Sequence, residues 1–518
     1  MATALQTITV RAPGLRGLQT ENSTSVLDPS AARTARNLVF DKTGRIQARK
    51  GKSVLTSSAL TGTPVIESMH MLDTSGGNKL IFGAQVSSTN KIYESASPFS
   101  SNTDVTGSLS PTGNNWQFQN FNDKTIAAQG GNTMIVKTHG GASFAAISAA
   151  SGTVPTGNCV HSAFGRLWAQ KVPAGSTDQA VVAYSALLDE THWSTGAGEI
   201  NALGTASAVA AGYDEMMGIS SISGFLVVFF KNSIVIYGKP EDPTNMTINR
   251  VIQGVGLLER DSVQQIGDDL VFLTRVGVRS LKQTIRSDDN TELHDLSATV
   301  RSDLLNDVST SDTPIKSAWY PDEALYLLKA DSNIWVMDMH QFREQTTTEL
   351  LDPTRYRWTV FPSTGWDNFA YHEGTLYIGD AGALAKYDGY QDAGASYTCE
   401  WMSMYFDYDS TQTKFLKNLK ALVEGAYNQQ FTFKWSFDFD KASGTAVKGI
   451  PSSGTVAEYG SAEYGIAEWS GGFSINILRV HGSRSGQFVS FGFSCVINGS
   501  AASMEEIAIS MKIGRETR

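Results

Sequence analysis

The residue types that carry most chemistry are spread through this chain without forming a reaction centre. Its eight histidines run from His70 to His481 with no common spacing, and each reads as a strand or turn residue. A zinc helix would need H-E-x-x-H, and a redox or metal site would open on C-x-x-C; neither occurs. No G-x-S-x-G elbow presents a serine nucleophile. The "GKS" at Gly51–Ser53 lacks the glycine of a phosphate loop, since Ile46 stands where it is needed. "DDNTE", Asp288 to Glu292, offers closely spaced oxygens of the kind calcium takes, but without the glycine and spacing of an EF-hand loop it reads as a solvated approach to a helix. Asp407 with Asp409, and Asp438 with Asp440, are carboxylate pairs of the type that cleaves glycans. Their i,i+2 spacing puts each pair on one strand face, which suits solvation equally well. The expectation is a protein that is not an enzyme, with no catalytic residue, cofactor or bound metal.

Two enrichments remain. With 10 Trp and 17 Tyr the chain is rich in large aromatics, which either pack sheet cores or stack on sugars. In an otherwise acidic chain, "NLVFDKTGRIQARKG", Asn37 to Gly51, gathers Arg45, Arg49 and Lys50, with Lys52 just beyond. "DKTG" supplies a turn between two short apolar runs, with Gly44 where a positive φ is required, so the stretch reads as a β-hairpin. Arg45, Gln47 and Arg49 alternate with Ile46 and Ala48, which places the charges on one face. Arg45, Arg49 and Lys50 are accordingly assigned to an assembly interface rather than to nucleic acid.

The elements that must position these residues are mostly strands. The 518 residues are 41% apolar and 18% charged, with 48 glycines, a composition of many short strands and turns. A net charge of −10 without an acidic tail disfavours a generic nucleic-acid binder. Three widely spaced cysteines, Cys159, Cys399 and Cys495, point to reduced thiols and an intracellular folding compartment. No signal peptide is evident at the start. The most apolar run, "FLVVFFKNSIVIYG" at Phe225 to Gly238, is too short to span a membrane and reads as a hairpin of two buried strands.

From about residue 64 to 408, strand–turn–strand units recur with a period of about 49 residues, which fits the blades of a β-propeller with six or seven blades. Residues 1–63 read as an N-terminal platform segment with the first hairpin, including a helix candidate "DPSAARTARNLV" capped by Asp28 with Pro29 in its first turn. A second helix is expected at Asp295 to Val308, where Leu296, Val300, Leu304 and Val308 keep helical spacing. Residues 409–518 carry longer alternating strands and read as a C-terminal β-sandwich. The repeat "AEYGSAEYGIAEWSGG" within them reads as an exposed loop or interaction edge. The fold class is thus all-β, a propeller with a β-rich platform.

Ala12-Pro13-Gly14, Gly17-Leu18, Asp28-Pro29, Asn37, Gly44-Arg45, Arg49 and Gly51 form a pattern that resembles the N-terminus of the tail nozzle, or tubular tail, proteins of short-tailed bacteriophages. Tyr184-Ser185, Leu188-Asp189 and Trp193 resemble a strand of the same family, and "FVSFGFSCVINGSAASMEEIAISMKIGR" resembles its C-terminus. The resemblance implies a virion protein, made in the host cytoplasm. It also implies a homo-hexameric ring attached to a tail adaptor protein, through which genome DNA passes without sequence-specific binding. Tail fibres are left open as a further partner, and no membrane span is implied. The alternative is a glycan-binding or glycan-cleaving propeller.

Overall fold

The computed structural model describes residues 5–21, 29–72, 77–173, 178–194, 198–201, 214–286, 295–340, 356–362, 364–408, 410–451 and 474–514. Five strands come from the first 54 residues: β1 (Leu5–Val10), β2 (Ala32–Arg36), β3 (Leu38–Phe40), β4 (Ile46–Ala48) and β5 (Lys52–Val54). They are shared among three different sheets.

Seven antiparallel units then follow in chain order. They open with the strands Ile66–Leu72, Gln117–Phe121, Val160–Ala163, Met216–Ile222, Gln264–Ile266, Lys316–Tyr320 and Asn368–His372. Six of these units are separate sheets, and the one opened by Lys316–Tyr320 is the first part of a nine-stranded sheet. The seven opening strands line one central cavity, so the chain is a β-propeller. Strands such as Phe225–Phe230 and Leu325–Ala330 are covered on both faces by neighbouring blades. They therefore read as continuous apolar runs and not as alternating ones. The apolar hairpin at 225–238 forms as the sequence predicts. The ring is closed by β5, which pairs with Ala383–Tyr387 of the last blade.

The platform is a sandwich. One layer runs β3, β4, Ala502–Ile513, Lys414–Gly425 and Ser474–His481, with β1 also on the 502–513 strand. The other layer is the rest of the nine-stranded sheet: β2, Tyr397–Ser403, Val489–Ile497, Gln430–Phe437 and Ala442–Gly449. Leu419, Val423, Ile507 and Ile509 of the first layer share a core with Trp401, Phe431, Phe433 and Phe491 of the second. Blade and platform meet where β2 lies parallel to the strand Arg357–Pro362, with Arg36 opposite Val360. Leu18 N also donates to the Trp358 carbonyl at 2.9 Å.

Three expectations change. The stretch from Pro29 to Phe40 is not a helix but holds β2 and β3, separated by Asn37 in the left-handed region (φ 54). Pairing with the 397–403 strand overrides the helical propensity of "SAARTAR"; Asp28 lies outside the described residues. The 397–403 strand belongs to the sandwich, so the propeller ends with the strand Ala383–Tyr387 and not at residue 408. The predicted helix at 295–308 begins later, at Arg301–Thr310, because Ser297 N and Oγ donate to Asp295 Oδ1 (2.8 and 2.6 Å) and hold a turn first. Its apolar residues Leu296, Val300 and Leu304 are nonetheless buried. Asp288 to Glu292 and the repeat at 457–472 lie outside the described residues. Among the described residues no helix is long and apolar enough to cross a membrane.

Gly51 marks the tightest joint. A Cβ there would sit 2.0 Å from the Gln391 carbonyl oxygen. Gly51→Ala is therefore expected to destabilise the fold by about 1–3 kcal/mol through overpacking. Urea unfolding would show this as a lower midpoint with an unchanged slope.

Candidate functional site

The basic hairpin forms as expected, since Asp41 Oδ1 accepts from Thr43 N (2.8 Å) and Arg45 N (2.9 Å), and Gly44 takes φ +83. Its charges do not share an exposed face. Arg49 is 1% exposed. Its Nε donates to Asn37 Oδ1 (2.8 Å), and its Nη atoms donate to Asp392 (3.0 and 2.6 Å). Tyr397 lies 4.1 Å from the guanidinium, with Trp366 and Phe361 at 5.2 and 5.3 Å. Arg45 pairs with Glu424 and with Glu505 (3.5 Å) across the platform sheet. Lys50 pairs with Glu323 (2.7 Å); burial alone would lower its pKa, but Glu323 outweighs this and raises it. Lys52 pairs with Asp380 (2.6 Å) in the last blade. The expectation of one exposed charged face is corrected: the carboxylate partners of Arg45, Arg49 and Lys50 belong to the same chain, and Arg49 is buried. The i,i+2 spacing could not reveal this, because each partner lies hundreds of residues away.

Among the described residues, the singled-out tryptophans, Asp438 and Asp440 are engaged in packing or in hydrogen bonds within the chain. Trp116, Trp168, Trp193, Trp335, Trp358 and Trp366 are buried, and Trp319 is partly so. Asp438 and Asp440 are not on a strand face. They lie in a left-handed turn (φ 49 and 67), where Asp438 accepts from Gln487 N and Phe488 N and Asp440 pairs with Arg33 at 3.2 Å. Asp409 lies outside the described residues. The three cysteines are buried free thiols, and Cys399 faces Cys495 across neighbouring strands. Among the described residues, no group of three His, Cys, Asp or Glu could hold a metal ion.

The most built feature is the propeller axis, which sequence reasoning missed. It holds a cavity of about 320 Å³ to which each of the seven opening strands brings a neutral polar side chain: Ser68, Gln117, His161, Ser220, Gln264, Ser317 and Asn368. Charges in its lining tie four blades together. Arg260 donates to Asp261 (2.7 Å), the Asn158 carbonyl (2.6 Å) and Asn115 Oδ1 (2.8 Å). Lys316 Nζ donates to Asp261 (2.5 Å) and Asn115 Oδ1 (2.6 Å). Burial pushes the Asp261 carboxyl up, but Arg260 and Lys316 outweigh it and hold it well below the usual range. Burial raises Glu67 and Glu259 and pushes His161 down to about 4. His161 Nε2 lies 2.9 Å from Ser221 Oγ, yet an imidazole with so low a pKa is a poor general base at neutral pH. The Arg-Asp pair was visible in "LERDS", but Lys316 and the two asparagines are joined to it only by the circular closure of the blades.

The fold and site define a class: a β-propeller set into a β-sandwich platform, with a polar axial cavity. No family model matches the chain, and no curated protein does. Among solved structures it is similar to the WD40 domain of Pan2 from Neurospora crassa, with TM-score 0.40 and 11% identity over 67% of this chain and 96% of that one. It is also similar to PorZ, a bacterial surface component of the type-IX secretion system of Porphyromonas gingivalis, with TM-score 0.35 and 12% identity over 64% of this chain and 37% of that one.

Two variants test the buried charges. Arg49→Ala leaves Asp392 without its partner and is expected to cost about 3–5 kcal/mol, with Arg49→Lys recovering only part because a point charge cannot fork. Asp261 has a depressed folded pKa, so its stabilisation is full above the unfolded value of about 3.9 and is lost as pH falls through the folded one. Asp261→Asn should therefore lower the melting temperature at pH 7 and narrow the gap to wild type as the pH drops below about 4. An equal gap at both pH values contradicts the assigned ionisation.

Proposed function

We propose that this chain is a structural subunit of a short-tailed phage tail: a hexameric nozzle, seated on the tail adaptor, that forms the conduit for genome ejection and performs no catalysis. The supporting observation is where the resembling residues fall. Gly17, at φ +60, would place a Cβ 2.8 Å from Trp358 N, so it sets the contact between the N-terminal segment and the propeller. Asn37 donates to the Thr398 carbonyl (2.8 Å) and accepts from Arg49, and Gly51 abuts Gln391. In the third blade, Ser185 Oγ accepts from Leu167 N (3.0 Å), Asp189 accepts from Thr191 N (2.8 Å), and Trp193 is buried. The resembling positions are thus those that join platform to propeller and fold one blade, as a shared scaffold requires.

The axial cavity favours the second reading, a glycan-binding propeller, because neutral amides and hydroxyls match sugar hydroxyls and the volume lies within the range of small-molecule sites. Negative-stain microscopy with a mass measurement separates the two. The nozzle reading expects six-fold rings. A stable monomer that binds or cleaves host polysaccharide sinks it in favour of the second.

A further inference from the structure

Arg45, Arg49, Lys50 and Lys52 each find a carboxylate, but another set of cations has none among the described residues. On the layer made by Lys414–Gly425, Ser474–His481 and Ala502–Ile513, the side chains of Lys417, Lys420, Arg479 and Lys512 are exposed. None of these four meets a carboxylate among the described residues. Glu424 and Glu506 on the same strands are already engaged, by Arg45 and by Arg11 (3.9 Å). Lys420 stands directly opposite Arg479 in the strand register. Like charges placed so repel each other, and no carboxylate among the described residues pairs with either. Beside them Ile475, Ile477 and Phe415 are 61%, 62% and 43% exposed, and the 474–481 strand ends the strand order of its sheet.

We propose that this face docks a second copy of the chain, with its cations against that copy's acidic surface. Charge complementarity selects the occupant. Taking these 4 positive charges from the net −10 leaves −14 on the rest of the chain, so a copy turned to present another face is attractive. A contact between different faces of two copies is heterologous, the kind that closes into rings. The exposed isoleucines and phenylalanine favour a protein over a nucleic acid, because a phosphate backbone cannot cover apolar surface. The inference rests on the ring reading above only for the number of copies.

Lys420→Glu and Arg479→Glu, made singly, each turn the like-charge pair into an opposite one within the subunit. Each variant is therefore expected to fold at least as stably as wild type. Sedimentation velocity over a range of protein concentrations, at about 0.05 and 0.5 M salt, reads the association. Wild type should associate, and less strongly at the higher salt. Either variant should weaken association at least about tenfold with an unchanged or higher monomer melting temperature. Rings that both variants form as readily as wild type overturn the docking face and leave the assembly reading standing. A wild type that is monomeric in every condition overturns both. Salt-sensitive binding of a short DNA duplex that either variant abolishes assigns the face to nucleic acid and overturns the proposal.

Discussion

A buried guanidinium cannot be left alone, and this requirement organises the junction of the molecule. Arg49 sits at the end of a hairpin in the platform, yet its carboxylate partner, Asp392, lies in the segment that leaves the last blade. Its aromatic neighbours come from both sides: Phe361 and Trp366 from the propeller, Tyr397 from the sandwich. Desolvating an ion costs several kcal/mol unless charge and hydrogen bonds are returned, so all of these parts must be in place together. The charge thus does more to specify the arrangement than to strengthen it.

The axis shows the same logic in a second place. Apolar blade faces can stack in any number that closes, and their packing is non-directional. Arg260, Asp261 and Lys316, with Asn115 and Asn158, tie particular blades across the ring with bonds that have direction. Hydrophobic burial makes the sheets condense, while a few buried polar contacts fix which sheets meet. The shared nine-stranded sheet adds a backbone connection between propeller and platform, with Asn37 N donating to the Val360 carbonyl at 2.9 Å.

What the sequence discloses follows from this division. Local signals were legible: the 225–238 hairpin, the Asp41–Gly44 turn, and the recurrence of strand and turn that implies blades. Period-two alternation at Arg45 to Arg49 identified strand but misjudged exposure, because a face is solvent-exposed only if nothing distant covers it. The same limit turned "SAARTAR" from helix candidate into strand, since its pairing partners begin about 360 residues later. The joining of Lys316, Asn115 and Asn158 to the Arg260–Asp261 pair was illegible for the same reason. Asp438 and Asp440 read as neighbours on one strand face because one-dimensional spacing cannot see a left-handed turn.

The platform is built from both ends of the described chain, and this bears on how it is made. Thr7 in β1 hydrogen-bonds Ser510, 503 residues further on. A ribosome adding about 5–20 residues per second needs roughly 25–100 s to cover that distance. Throughout that time β1 and β4 lack the 502–513 strand on which they pair. The propeller can close earlier, once the last blade reaches β5. Synthesis thus yields a finished ring trailing an unmatched leader, whose sticky edges must be shielded until the final strands arrive. The order of assembly within one polypeptide is fixed by its threading: wheel first, hub mount last.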